Sequence, residues 1–198
     1  MVAASVDVGN GELLGAAAAL FRKVGYEAAT TRQLAHQLGV RSASLYYHVG
    51  KKEDILYAIC VTSLEHVRRV VEAATAAEPD PLERVKVLIR THLASSLAEF
   101  DKHTTMLAEL KSLSSRRRLE VIEYRDAYEA VVRRVISQAQ KSGLLRTDIQ
   151  AKYLTFGLLN LLNWTIFWFR PGGSLSAERL GEILGDLFLD GARPRTTS

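Results

Sequence analysis

The sequence predicts an all-α chain of about nine helices: an N-terminal three-helix helix-turn-helix domain, then a larger C-terminal helical domain. Three observations carry that expectation. Apolar residues recur every three to four positions from Leu13 onward. No stretch alternates with a period of two for long enough to form a strand. Glycines and cap-forming residues fall where the periodic stretches begin and end.

Leu13, Ala17, Leu20 and Val24 make the first stripe, ended by Gly25. A second helix starts near Thr31, capped by Thr30 or Thr31, with Leu34, Ala35 and Leu38 inward. Gly39 stops it, and Ser42 to Val49 form the third. From Lys52 to about Ala77, a long helix places Leu56, Ile59, Ser63, Val67, Val70 and Ala74 on one face. Asp80-Pro81-Leu82-Glu83 is a start signal: Asp80 caps, proline suits the first helical position, and Glu83 reaches back to the cap. Leu82, Val85, Ile89, Leu93, Ser96 and Phe100 then repeat at helical spacing. A short helix is expected around Thr105 to Leu113, and a long one from about Ser115 to Ser142, ended by Gly143. Asp148 is the expected cap of the penultimate helix, which stops before Pro171; Ser176 caps the last, through Leu189.

The first 50 residues are too few to be comfortably stable alone. The expected division is therefore 1–52 and 53–198, joined by the long helix from Lys52, the natural mechanical lever.

Net charge is only +4 over 198 residues, yet six basic residues face two acidic ones between Gly11 and Lys52. That local excess suggests an anionic partner. Cys60 is the single cysteine, which rules out an intrachain disulfide and a multi-cysteine metal site. The first nine residues lack the pattern of a secretory signal. The longest apolar run, Tyr153 to Phe169, is shorter than the roughly 20 residues of a membrane span and contains Asn160 and Asn163. A buried helix and a cytoplasmic chain without membrane contact are expected. His48, His66, His92 and His103 have no Cys-His pair, His-Glu-x-x-His run or phosphate-cradling glycine loop beside them. No catalytic residue, metal ligand or cofactor is assigned, and an enzyme is not expected.

Ala35, Gly39, Val40 and Leu45 have the spacing of two short helices crossing at a glycine turn. That packing aims Arg41, Ser42, Ser44, Tyr46, Tyr47 and His48 outward. Short hydroxyls and phenols can approach phosphate oxygens, and a helix N-terminus adds partial positive charge. The same spacing also fits a helical hairpin in a core, with Tyr46 and Tyr47 packed inside.

Thr30 to Leu56, "TTRQLAHQLGVRSASLYYHVGKKEDIL", with "ALFRKVGYEAAT" before it, closely resembles the DNA-binding domain of the TetR family of bacterial repressors. Ala19, Phe21, Gly25, Thr30, Thr31, Ala35, Gly39, Val40, Leu45, Tyr46, His48, Lys52 and Glu53 stand at the family's spacing. Arg41 and Lys51 replace capping serines, and Val49 replaces a phenylalanine. The resemblance implies that Thr31 and Arg32 hold phosphate near the second helix. It implies that Arg41, Ser42, Ser44 and Tyr46 face the major groove and its rims, and that Tyr47, His48 and Lys52 grip phosphates. Arg41 is the candidate base reader, since arginine pairs bidentately with guanine; a phosphate contact is its other reading. His36 reads as a solvated helix position.

In Tyr153 to Phe169, Leu154, Leu158, Leu161, Thr165 and Trp168 form one stripe, and Phe156, Asn160, Asn163 and Phe167 another. The last helix offers Leu180, Ile183, Leu184, Leu187 and Phe188 beside Gly181 and Gly185. Two such helices suit a four-helix interface across a homodimer, as the resemblance also implies, or the closing of a monomer core. The second stripe, with Trp164, can offer polar anchors inside an apolar cavity whose other walls are Met106, Leu110, Tyr124 and Tyr128, or can be plain core. The family resemblance implies an effector pocket there. "WFRPGGSLSAERL", Trp168 to Leu180, resembles a subgroup that controls fatty-acid or steroid degradation and responds to acyl-CoA thioesters. Arg170 and the run Arg116-Arg117-Arg118 read either as partners of CoA phosphates or as solvated helix ends. The expectation is a ligand-responsive transcriptional repressor. A dimer sits on a palindromic double-stranded DNA operator, and a small hydrophobic effector, with acyl-CoA the candidate class, releases it by shifting the long helix. An activator, or a regulator with an unrelated hydrophobic effector, is the alternative.

Overall fold

A computed structural model describes residues 10–41 and 51–194. They contain eight α-helices, two short 3-10 segments and no strand. The expected third helix, and with it Ser42, Ser44, Leu45, Tyr46, Tyr47, His48 and Val49, lies outside the described residues. The helices are α1 (Asn10–Val24), α2 (Thr31–Gln37), α3 (Lys52–Ala77), α4 (Pro81–Ala98), α5 (Phe100–Glu109), α6 (Ser115–Lys141), α7 (Ala151–Asn163) and α8 (Ala177–Ala192).

By its internal contacts the chain divides into two compact units. The first is Met1–Ser63 with Asp101–Ile122; the second is Leu64–Phe100 with Glu123–Ser198. Both α3 and α6 begin in the first unit and continue into the second. Composition suggests a head of some 50 residues. The first unit takes in Asp101–Ile122 because short helices bury too little apolar surface by themselves.

In the first unit Leu13, Leu14, Ala17 and Phe21 of α1 are buried, as are Leu34 and Ala35 of α2 and Ile55, Leu56 and Ile59 of α3. Gly25, at φ +82°, turns the chain out of α1. The Phe21 and Tyr26 rings meet edge to face at 5.2 Å. Thr30 closes a reciprocal cap on α2: Gln33 N donates to Thr30 Oγ1 at 3.2 Å, and Thr30 N donates to Gln33 Oε1 at 2.8 Å. Gly39, at φ +66°, ends α2; its N–H donates to His36 O, and Val40 N–H donates to Ala35 O. That turn sets the chain direction into the segment expected to read DNA.

The second unit has its own core, built from Val71, Leu88, Ile89, Leu93, Val132, Ile136, Leu158, Leu162 and Leu180 among others. Each fully buried leucine or isoleucine there contributes about 1.5–3 kcal/mol of burial. Asp80 caps α4 by accepting from Leu82 N and Glu83 N. Glu83 binds Lys86 at 2.6 Å instead of reaching back, and the Asp80 N–H goes to Glu78. Ser176 caps α8 as expected. Asp148 does not cap α7: both its oxygens take Arg146, and Gln150 stands at the cap without a side-chain bond. A nearby guanidinium outcompetes backbone N–H groups for a carboxylate.

Gly181 and Gly185 are buried and face α4 within the same chain. A Cβ at Gly181 would meet Arg90 Cγ at 3.5 Å, and one at Gly185 would meet Ile89 at 3.9 Å. Both are ordinary contacts. Two glycine-to-alanine substitutions should therefore act in opposite directions. Gly185→Ala is expected to raise stability by about 0.5–1 kcal/mol, through backbone entropy. Gly39→Ala is expected to lower it by about 1 kcal/mol or more, because its φ is positive. Urea denaturation of the two variants beside the parent chain reads both signs.

Candidate functional site

Among the described residues of the head, Arg32, Arg41 and Lys51 are exposed. None of their side chains forms an ion pair with a described residue. Thr31 is half-buried and His36 exposed, as a solvated helix position should be. Arg22 is committed elsewhere, to Asp101.

Lys52, expected at a phosphate, has partners within the head. Its ammonium donates to three backbone carbonyls, Tyr26 O at 2.8 Å, Ala29 O at 3.1 Å and Glu27 O at 3.2 Å, and lies 4.3 Å from the centre of the Tyr26 ring. Three carbonyls match the three ammonium protons. Lys52 thereby pins the start of α3 to the turn between α1 and α2.

The segment from Asp101 to Arg117 clasps the head. Thr105 Oγ1 donates to Ala18 O at 3.1 Å, and Tyr26 N–H donates to Glu109 Oε1 at 3.4 Å. Ser114 N–H donates to Glu53 Oε1 at 2.8 Å. Arg117 pairs with Asp54 and lies 5.1 Å from the centre of the Tyr57 ring. Hydrogen bonds from Ser114 hold the Glu53 carboxyl below its usual range, with Arg117 assisting. The Lys51 N–H, then Arg117, do the same for Asp54.

In the second unit the buried polar groups concentrate on α4. His92, Ser95 and Ser96 share one face of that helix by their spacing and are all buried. His92 Nδ1 meets the Tyr128 hydroxyl of α6 at 2.6 Å, with the rings stacked. Burial pushes the Tyr128 phenol up, so it stays a neutral hydroxyl. The oxygens of Ser95, Ser96 and Thr155 have no hydrogen-bond partner among the described residues. Of these residues the sequence points to Tyr128 alone as a ligand contact. The overlooked signal is Ser96, a polar residue inside an apolar stripe.

The remaining expected ligand contacts disperse. Met106 is buried and Leu110 half-buried, both in the first unit; Tyr124 and Asn163 are half-buried in the second. Phe156, Asn160 and Trp164 point outward, with Trp164 65% exposed, and so line no internal cavity. They share a face of α7 and its extension with Tyr153 and Gly157, since these positions fall about whole turns apart. The second stripe is thus a surface, while Leu154, Leu158 and Leu162 supply the core. Trp168, expected on the inner stripe, is exposed because the backbone tightens to a 3-10 turn at Trp164–Phe167 and shifts the phase. On α8, Ile183 and Leu187 are exposed while Leu180 and Leu184 are buried within the chain. No group of side chains able to hold a metal ion occurs among the described residues. Cys60 is buried, and desolvation pushes its thiol up to about 12.

Two family models match the chain: "Bacterial regulatory proteins, tetR family" over residues 13–59, and "Tetracyclin repressor-like, C-terminal domain" over residues 78–192. The HTH-type transcriptional repressor KstR2 of Mycobacterium tuberculosis is 30% identical over 200 residues, covering 96% of this chain and 98% of that protein. The solved structure of that ketosteroid transcriptional regulator superposes with a TM-score of 0.86 at 25% identity, covering 98% of this chain and 99% of the other. The TetR family regulator PfmR from Thermus thermophilus gives a TM-score of 0.84 at 35% identity, over 90% and 97% of the two chains. AibR, solved with isovaleryl coenzyme A and operator DNA, shares the fold at 23% identity, with a TM-score of 0.81 over 90% and 96%.

The clasp makes the head acid-sensitive. A depressed carboxyl stabilises fully above its ordinary pKa and loses that contribution as pH falls through the lowered one. The head should lose thermal stability as pH falls below about 4.5. Glu53→Gln should flatten that acid limb in melts recorded across the range.

Proposed function

The chain belongs to the tetR family of bacterial regulatory proteins, and on that premise we propose that it is a dimeric repressor released from a palindromic operator by a small apolar effector. It is a transcriptional regulator by family, not an enzyme. The observation that carries the reading is the family match over residues 13–59, laid on a head that keeps Arg32, Arg41 and Lys51 as exposed cations without ion-pair partners among the described residues. In this reading Thr31, Arg32 and Lys51 hold phosphate while Arg41 and the segment Ser42 to His48 enter the major groove.

The outward face of α7 and α8 supports the dimer. Tyr153, Phe156, Trp164, Phe167, Ile183 and Leu187 form an apolar surface that a second copy of the chain would cover, with Asn160 among them. Two heads about one DNA turn apart then match a palindrome. The effector sits in the core of the second unit beside His92 and Tyr128. Its class is an acyl-CoA from fatty-acid or steroid breakdown, supported by the Trp168 to Leu180 segment and by the isovaleryl coenzyme A with which AibR was solved. Transmission runs along α6, which carries Arg117 of the clasp and Tyr128 of the core three turns apart on one face. The regulator works in the cytoplasm with its operator. No helix of the described residues is long and apolar enough to cross a membrane.

Fluorescence anisotropy with a palindromic fragment from the chain's own promoter tests the reading. Log affinity should fall with log salt at about −0.9 per phosphate neutralised; a slope near zero contradicts it. Leu187→Asp should convert the dimer to monomers in sedimentation and weaken operator binding by roughly tenfold or more, because a buried unpaired carboxylate costs several kcal/mol.

A further inference from the structure

Buried hydroxyls on helices have a default solution, which this chain uses elsewhere. Thr75 Oγ1 donates to Val71 O at 2.7 Å, and Thr165 Oγ1 donates to Leu162 O at 2.7 Å, each closing onto its own helix. Ser95, Ser96 and Thr155 do not. Their oxygens are sealed from solvent, yet none has a partner among the described residues. By their spacing Ser95 and Ser96 share a face of α4 with His92, whose ring meets the Tyr128 hydroxyl; Thr155 belongs to α7, which packs on α4. Each desolvated hydroxyl costs stability that an alanine or valine would not. Several on facing elements of one core are retained at a loss unless something else hydrogen-bonds them.

The kind of occupant follows from charge. Among the described residues no Lys, Arg, Asp or Glu is buried; the buried polar side chains are serine, threonine and histidine. A core of this composition can donate to and accept from an oxygen atom. It has no fixed cation to offset a carboxylate or phosphate, whose desolvation would be heavily unfavourable. We propose that the effector inserts a neutral oxygen function, a hydroxyl or a ketone, ester or thioester carbonyl, between α4 and α7, where Ser95, Ser96 and Thr155 hydrogen-bond it and an ionised group is refused. This rests on the reading of the second unit as the effector-binding part, and it adds the chemistry of the end that is buried.

Methyl decanoate and decanoate, a matched pair differing in charge, are the probes, titrated into the full chain with binding read by calorimetry and thermal shift. The ester should bind roughly tenfold or more tightly than the carboxylate. In Ser96→Ala and Thr155→Val the unliganded chain should melt at or above the parent, and the preference should shrink to about twofold or less. Equal or better binding of decanoate, binding of neither probe, or variants that melt lower and keep the preference would overturn the inference. Operator binding by the free parent chain is recorded in the same series. If it persists, any of those results sinks this inference alone; if it is absent, the regulator reading itself fails.

Discussion

Short helices at the start of the chain bury too little apolar surface to be comfortably stable alone, and the clasp from Asp101 to Arg117 answers that constraint. The Arg117–Asp54 pair, the Ser114–Glu53 bond and the Thr105–Ala18 bond attach a distant stretch of sequence to α1 and to the start of α3. The head therefore takes its geometry from the polypeptide that leads into the second unit. A regulator needs such a dependence: a head stable in isolation would be indifferent to events elsewhere. Lys52 contributes to the same end by giving its charge to three carbonyls rather than to a ligand. The cations of this region divide: Lys52 and Arg117 hold the fold, while Arg32, Arg41 and Lys51 are exposed.

The second unit shows the reverse compromise. Its core is apolar, but hydroxyls on α4 and α7 inside it have no partner among the described residues. Natural cores tolerate such groups where function selects them against stability. Tyr128, bonded to His92, and Arg117, paired with Asp54, stand on one helix, α6. The coupling needed for release is modest, since about 1–3 kcal/mol of difference between states changes operator affinity by 5–150-fold.

Local signals in the sequence are readable because they are local. The caps at Thr30, Asp80 and Ser176 and the turn at Gly39 each depend on residues within a few positions, and each forms as expected. Asp148 fails as a cap because Arg146, two residues away, offers a better partner. The faces of α7 are harder. Both are apolar, and periodicity can separate two stripes without saying which one meets its own chain. It therefore assigns Phe156, Asn160 and Trp164 to a cavity, whereas they lie on a surface. The clasp leaves no trace in local pattern, since its partners stand 61 to 87 positions apart. The buried serines are visible only as an irregularity in a stripe.

The sealed position of Cys60 has a practical corollary. The sole sulfhydryl of the chain stays protonated and out of reach, so oxidants and alkylating reagents pass it by. Any cysteine engineered onto an outer position becomes the unique attachment point for a dye or spin label. The native background thus suits label-based distance measurements without prior removal of a thiol.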